Sequence, residues 1–221
     1  MSGTTGGLRR GRAKPADAGR PKPSVLKFRP VTAARWKDLE ALFGERGACG
    51  GCWCMAWRLA RSEWESGKGA GHRRRLMRIV RSGREPGLLA YSGTEPIGWC
   101  AVAPRTEYAA LERSRVLKPV DDQPVWSITC LFVKKPFRRM GVSSALLKAA
   151  AERALARGAP AVEGYPVIPY QSKAPDAFLW TGTLSAFRKA GFREIHRWSK
   201  SRPIMRYGGT GPSRATSGAG T

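Results

Sequence analysis

Acidic residues are scarce in this chain. Sixteen Asp and Glu stand against forty Lys and Arg, giving a formal net charge of +24 over 221 residues. The first 24 residues contribute +5 and residues 208–221 contribute +1, so +18 falls on the body between them. The excess is therefore not a property of the ends. Such a field favours anionic partners: a phosphorylated cofactor, an acidic substrate or nucleic acid. Charge alone does not choose among the three.

Long apolar runs are missing too. None approaches the ~20 residues that a membrane span requires, so no membrane partner is expected. The Arg-rich start has no apolar h-region, which argues against a secretory signal. Histidine occurs only as His72 and His196. Five cysteines without a secretion signal read as free thiols in a reducing, cytoplasmic setting.

Two familiar phosphate-binding signatures are also absent. A P-loop needs two glycines flanking four residues, then Lys and Ser or Thr. A dinucleotide fingerprint needs Gly-x-Gly-x-x-Gly. Neither occurs where a strand runs into a helix.

What remains is enough for one packed domain: 42% of the residues are hydrophobic. Residues 1–24 hold six Lys or Arg against Asp17, with Gly and Pro throughout. They read as a disordered basic tail, a transit peptide being the alternative. Residues 25–207 read as the folded body, and the Gly/Ser/Thr-rich residues 208–221 as a second disordered tail.

The body is organised around one stretch. Val125 to Val133 is apolar, β-branched and bounded by Pro124 and Pro136, which predicts a buried strand. Val142 to Ala156 is dense in strong helix formers, with apolar residues at helical spacing. A basic loop carrying Gly141 joins them. A strand that enters a helix through such a loop presents free backbone N–H groups and the positive end of the helix dipole. That is an anion site.

Elsewhere, Val25 to Val31 reads as a first strand, and Thr32 as the cap of a helix with Trp36, Leu39, Leu42 and Phe43 on one face. Arg61 to Arg81 reads as one very basic helix. Its arginines suggest either an anion-facing surface or a solvated face. Leu88 to Tyr91 and Ile97 to Val102 predict a hairpin across Ser92-Gly93-Thr94-Glu95-Pro96. Ala161 to Val167 predicts a strand, with Pro166 at its splayed end. Leu184 to Ala190 predicts a short helix, and Phe192 to Trp198 and Pro203 to Tyr207 the last strands. A short β–α–β connection implies one parallel pair, and hairpins imply antiparallel pairs elsewhere. The expected architecture is α/β: a mixed sheet with helices on both faces.

Cys49-x-x-Cys52-x-Cys54 supplies three thiolates of the kind zinc takes, but the histidines have no ligand spacing to them. The segment reads instead as a tight Gly turn leading into a Cys/Trp/Met-rich core strip, and no metal is expected.

The loop Arg138-Arg139-Met140-Gly141-Val142-Ser143 resembles the pyrophosphate loop of the GNAT acyltransferase superfamily, with Ser143 where that family has Gly or Ala. The order of elements and Ala186-Phe187-Arg188-Lys189-Ala190-Gly191-Phe192 are similar to the same fold. Cys52-Trp53-Cys54-Met55 resembles a segment of a poorly characterised branch of it. The resemblance implies a GNAT fold, its central sheet splayed between two parallel strands. It also implies acetyl-CoA in that splay. The pyrophosphate would rest on Arg138, Arg139, Met140, Gly141, Val142, Ser143 and Ser144, and the pantetheine on the backbone of Leu131, Phe132 and Val133. An amine, on a small molecule or a protein, would attack the thioester directly.

That chemistry needs a base for the ammonium and profits from a donor for the leaving thiolate. The family often carries a tyrosine where this chain has Phe187. Tyr165, Tyr170 and Cys130 are candidate substitutes. Glu163 is the first candidate base and Glu107 the second. Two further classes stay open: a catalytically silent acyl-CoA-binding sensor, and a nucleic-acid-binding protein. The oligomeric state is not legible from the chain.

Overall fold

The computed structural model describes residues 25–168 and 179–209. Strands β1 (Leu26–Pro30), β2 (Gly87–Ser92), β3 (Glu95–Pro104), β4 (Val125–Val133), β5 (Ala161–Gly164), β6 (Arg193–Ser199) and β7 (Arg202–Gly208) form one sheet. Their spatial order is β1-β2-β3-β4-β5-β7-β6. Only β4 and β5 pair in parallel; every other neighbouring pair is antiparallel. The mixed sheet with one parallel pair is the architecture expected from the sequence.

Among the described residues six α-helices accompany it: α1 (Trp36–Phe43), α2 (Arg61–Gly67), α3 (Ala70–Arg81), α4 (Ala109–Glu112), α5 (Val142–Ala156) and α6 (Leu184–Lys189). Two core clusters separate the faces. One joins Leu88, Cys100, Ile128, Leu131 and Val133 to Leu146 of α5 and Phe187 of α6. The other joins Leu89, Tyr91, Trp99 and Cys130 to Leu39 of α1, Leu76 of α3 and the Cys-rich segment. Side chains alternate between these clusters along β2, as the period of two demands. Both faces are covered, so β2 and β3 read as near-continuous apolar runs.

One residue breaks the alternation in β4. Ala101 faces Cys130 while Val102 faces Ile128, so Thr129 is an extra, unpaired residue. Such a bulge shifts the side-chain phase by one. Ile128 and Leu131 thereby both point toward α5, while Ser127 and Cys130 both point away.

Three sequence expectations need correction. Arg61–Arg81 is two helices, not one. Gly69 takes φ +76 between them, and its N–H donates to Gly51 O at 2.9 Å. A Cβ on Gly51 would come within 2.5 Å of Gly69 N, so the break is a close backbone docking onto the Cys-rich turn. Thr32 does not cap α1 through its side chain; a 3-10 turn (Ala33–Arg35) intervenes. Strand β5 ends at Gly164, before Pro166, and Val167 returns only as an isolated bridge to Thr183. Between β3 and β4, residues 105–124 include the single-turn α4.

Residues 169–178 lie outside the described residues, as do residues 1–24 and most of the expected C-terminal tail. Among the described residues no helix is long and apolar enough to cross a membrane.

Candidate active site

The site begins where β4 and β5 part. Their parallel register runs from Val125↔Ala161 to Ile128↔Gly164 and stops there. Strand β4 continues to Val133, while the other chain passes through Tyr165 and Pro166, and proline has no N–H to give a ladder. A cleft of about 1060 Å³ fills the gap. Leu131, Phe132 and Val133 form one wall, and Val167, Ile168 and the Leu179–Ala186 region form the other.

One end of the cleft is the loop before α5. Arg138 Nε donates to Val133 O at 2.9 Å, which ties the loop to the strand end. Arg139 and Gly141 both take left-handed backbone angles, φ +63 and +81. Gly141 is the N-cap of α5 and offers no side-chain cap, so the N–H groups of the first helical turn face outward. The helix is anchored by Leu146, Leu147 and Ala150, all fully buried. Arg138, Arg139 and Lys189 line the cleft, and no acidic residue is among the described residues lining it. Free N–H groups, a helix dipole and local cations make an anion site.

Nine of the ten cofactor residues read from the sequence line this cleft. Met140 does not; it packs, half-buried, against the α5-side core.

The throat of the V is narrow. Phe187, from α6, is fully buried there, and its ring leaves no room for a Cβ at Gly164. A Cβ on Gly182 would lie 2.8 Å from both Phe187 Cε2 and Leu131 Cδ1. The segment Trp180–Gly182 crosses between the walls. Leu131 N–H donates to Trp180 O at 2.7 Å, and Val167 N–H donates to Gly182 O at 3.2 Å. The Leu131 amide expected to meet pantetheine is therefore already hydrogen-bonded. Phe187 brings no hydroxyl to the throat.

Glu163 and Tyr165 do not line the cleft. They sit on the face away from α5, at the base of the V, each about 1% exposed. Arg206 Nη2 donates to Glu163 Oε1 at 2.7 Å, and the same guanidinium holds both oxygens of Asp121 at 2.7 and 2.9 Å. Tyr165 Oη donates to Glu163 Oε2 at 3.1 Å, accepts from Arg105 Nη1 at 2.9 Å and lies 2.8 Å from Ser127 Oγ. Burial pushes the Tyr165 phenol well above its ordinary pKa, with the Glu163 charge adding to the shift. Ser127 and Glu163 are register partners, so this network stitches β4 to β5 just below the point of separation. A second cavity of about 510 Å³ opens beside Glu163, Arg206 and Arg105, away from the α5 loop.

Glu107 receives a hydrogen bond from Arg58 Nη1 at 2.5 Å. Arg58 in turn lies over the Tyr108 ring, 4.6 Å from its centroid. Among the described residues, Trp57 Nε1 and Arg58 Nη2 are buried and find no hydrogen-bond partner. Burial raises the Tyr108 phenol to about 12. Trp57 also packs on Trp180, ring centroids 6.0 Å apart, and Trp180 lines the cleft. Unpaired buried polar groups are uncommon and ask for an explanation. The sequence reading missed Arg58 and Tyr108. Their only sequence signal is adjacency to Trp57 and to the second candidate base, Glu107.

Cys130 points away from the cleft into the cluster with Trp53, Cys54 and Trp99. Tyr170 lies outside the described residues. Of the zinc-like trio, Cys49 is exposed and Cys54 buried. Among the described residues no group of three His, Cys, Asp or Glu side chains converges to hold a metal.

Comparison with known proteins bears on this arrangement. The sequence model of the acetyltransferase (GNAT) family matches residues 53–167, just over half of the chain. No curated protein matches it. Among solved structures it is similar to the PaiA N-acetyltransferase of Thermoplasma acidophilum, crystallised with coenzyme A. The identity is 15%, over 83% of this chain and 98% of that one, at a TM-score of 0.46. A GNAT-family acetyltransferase of Listeria monocytogenes 4b F2365 shows 8% identity over 82% and 94% of the two chains, at a TM-score of 0.49. One from Streptococcus agalactiae 2603 shows 14% over 82% and 94%, at 0.47. With the splayed parallel pair and the glycine-capped helix matched by a family model across more than half its length, the chain belongs to the acetyltransferase (GNAT) family.

Proposed function

We propose that this protein moves an acetyl group from acetyl-CoA to an amine, which attacks the thioester directly. One observation carries the reading: the open cleft between β4 and the Val167 wall, floored at one end by the uncapped α5 N-terminus. A diphosphate fits the N–H groups after Gly141, beside Arg138 and Arg139. The pantetheine arm follows Leu131 to Val133 and takes over the Leu131 N–H from Trp180 O. The acceptor approaches from the face away from α5, where Trp57 Nε1 and Arg58 Nη2 find no hydrogen-bond partner among the described residues.

In this reading Glu163 and Tyr165 act as a clamp on the two strands. Glu163 Oε1 accepts from Arg206, Glu163 Oε2 accepts from Tyr165 Oη, and Tyr165 Oη accepts from Arg105 and lies beside Ser127 Oγ, so the pair is tied into the fold. Water carries the ammonium proton away, and backbone N–H groups at the splay meet the developing oxyanion.

Thiol-release kinetics with acetyl-CoA across a panel of amines and peptides test the proposal. Saturable release with at least one acceptor supports it. A second reading, a silent acyl-CoA-binding domain, draws on Phe187, which lacks the hydroxyl a leaving thiolate would use. It is favoured if acetyl-CoA raises the melting temperature while no acceptor in the panel releases thiol.

A further inference from the structure

The Cys-rich turn meets the cleft only through Ala48 and Cys49, and its other two sulfurs, Cys52 and Cys54, are not among the residues that line it. Cys54 Sγ lies 3.1 Å from Cys130 Sγ, across 76 residues of chain and inside the core. Trp99 Nε1 donates to Cys54 Sγ at 2.6 Å and holds it in place. Both thiols are free. Two consecutive non-glycine residues, Trp53 and Cys54, hold left-handed angles of φ +41 and +54. Such strain persists only where the surroundings impose it. Here Trp53 stacks on Trp36 at 6.0 Å and meets Phe43 edge-on at 5.4 Å, and Cys54 is turned inward onto β4.

Cys52 is the partly exposed member. Its thiol donates to Gly47 O at 3.8 Å, and hydrogen bonding with the Cys54 thiol and the neighbouring backbone outweighs burial and lowers its pKa to about 6. Hydrogen bonds donated to a sulfur favour its thiolate form. Cys54, by contrast, is pushed upward by burial and by its two sulfur neighbours. The turn thus sets a reactive thiolate at the surface, a protonated thiol behind it and a third sulfur on β4.

We infer that Cys52, Cys54 and Cys130 form a thiol relay oxidised by hydroperoxides, whose end product is a Cys54–Cys130 disulfide tying the Cys-rich turn to β4. The Cys52 thiolate attacks the outer oxygen of the hydroperoxide. The O–O bond breaks, an alcohol or water leaves after taking a proton, and Cys52 becomes a sulfenic acid. The Cys54 sulfur then attacks Cys52 Sγ. Its proton joins the departing hydroxide as water, and a Cys52–Cys54 disulfide forms. Cys130 attacks Cys54 Sγ next, and its proton passes to the released Cys52 sulfur. The net change is two thiols and one hydroperoxide to one disulfide, one alcohol and one water. The relay stands independently of acetyl transfer.

The test uses the full reduced chain, treated with hydrogen peroxide, alkylated and mapped by mass spectrometry after non-reducing digestion. We expect two thiols lost per chain and a peptide linking Cys54 to Cys130, with Cys49 and Cys100 still alkylated. Cys52→Ser forms the same link about tenfold more slowly, because a buried, protonated thiol must then meet the oxidant. Cys130→Ser stops at a Cys52–Cys54 link. Three results overturn the relay. One is Cys52 oxidised to sulfinic or sulfonic acid while Cys54 and Cys130 remain alkylated. Another is the Cys54–Cys130 link forming in Cys52→Ser at the wild-type rate. The third is no oxidation of any of the three.

Discussion

Gly164 and Phe187 are fitted to one another: the phenyl ring occupies the space that a Cβ on residue 164 would take. Gly164 is the last β5 residue paired with β4, and Phe187 comes from α6. The ring therefore wedges the sheet at the point where it opens. Phe187 also meets Phe192 edge-on, centroids 5.0 Å apart, which fixes the wedge from behind.

Gly164→Ala is expected to destabilise the fold by ~1–3 kcal/mol through overpacking. Urea denaturation measures it. Phe187→Leu in the same chain should recover part of the loss, because the smaller side chain vacates the position the methyl needs. Additive losses in the double variant would show that the two residues do not share that space.

Gly141 is expected to behave differently, because a Cβ there meets open space. Its φ of +81 makes the backbone, not packing, the constraint. Gly141→Ala should cost ~1 kcal/mol of stability and leave acetyl-CoA stabilisation largely intact. Gly141→Asp should abolish that stabilisation, because it sets a carboxylate where the proposed function places the diphosphate. A thermal shift with acetyl-CoA reads both variants. Full retention of the shift in Gly141→Asp would displace the diphosphate from this loop.

Asp121 gives a pH signature. Its bidentate hydrogen bond from Arg206 holds the carboxyl below the usual Asp range. A depressed folded pKa means the stabilisation is fully present above the unfolded value, about 3.9, and is lost as pH falls through the folded one. Wild type should therefore lose stability with a steeper slope below about pH 4 than Asp121→Asn does. Denaturant midpoints across an acid series measure the slopes. Equal slopes would mean that the Arg206 bond does not perturb the carboxyl.

How much of this was legible beforehand depends on the range of the forces involved. The β4–loop–α5 unit is local: a strand run, a glycine and a helix pattern lie within 32 consecutive residues, Val125 to Ala156, and the anion loop follows from them. The bulge at Thr129 is not local. Nothing in Thr129-Cys130-Leu131 announces an extra residue, because the bulge exists only relative to β3. It reverses which side chains face the cleft beyond it. Glu163 looked like a base because it is an acid on the strand beside the splay. Its partner Arg206 is 43 residues away, and only the β5–β7 register brings them together. The break between α2 and α3 was missed for the same reason: Gly69 reads as tolerable in a helix until Gly51 docks against it.

The clamp assigned to Glu163 and Tyr165 makes a prediction distinct from catalysis. Glu163→Gln removes the charge opposite Arg206, whose side chain is 2% exposed, and keeps Asp121 as the remaining counter-ion. Unpairing a buried charge costs ~3–5 kcal/mol in full, so partial loss should lower stability by less than that. Tyr165→Phe leaves Ser127 and one Arg105 N–H without their partner and should cost ~1–3 kcal/mol. Activity should fall in both variants as the strands loosen. The pH–rate profile separates clamp from base. A general base contributes the acid limb of kcat/KM, and its removal erases that limb. A clamp leaves the limb where it was while lowering the plateau. We expect the limb to persist in Glu163→Gln, with the melting temperature and the plateau declining together. Loss of the limb at unchanged melting temperature would return Glu163 to the chemistry.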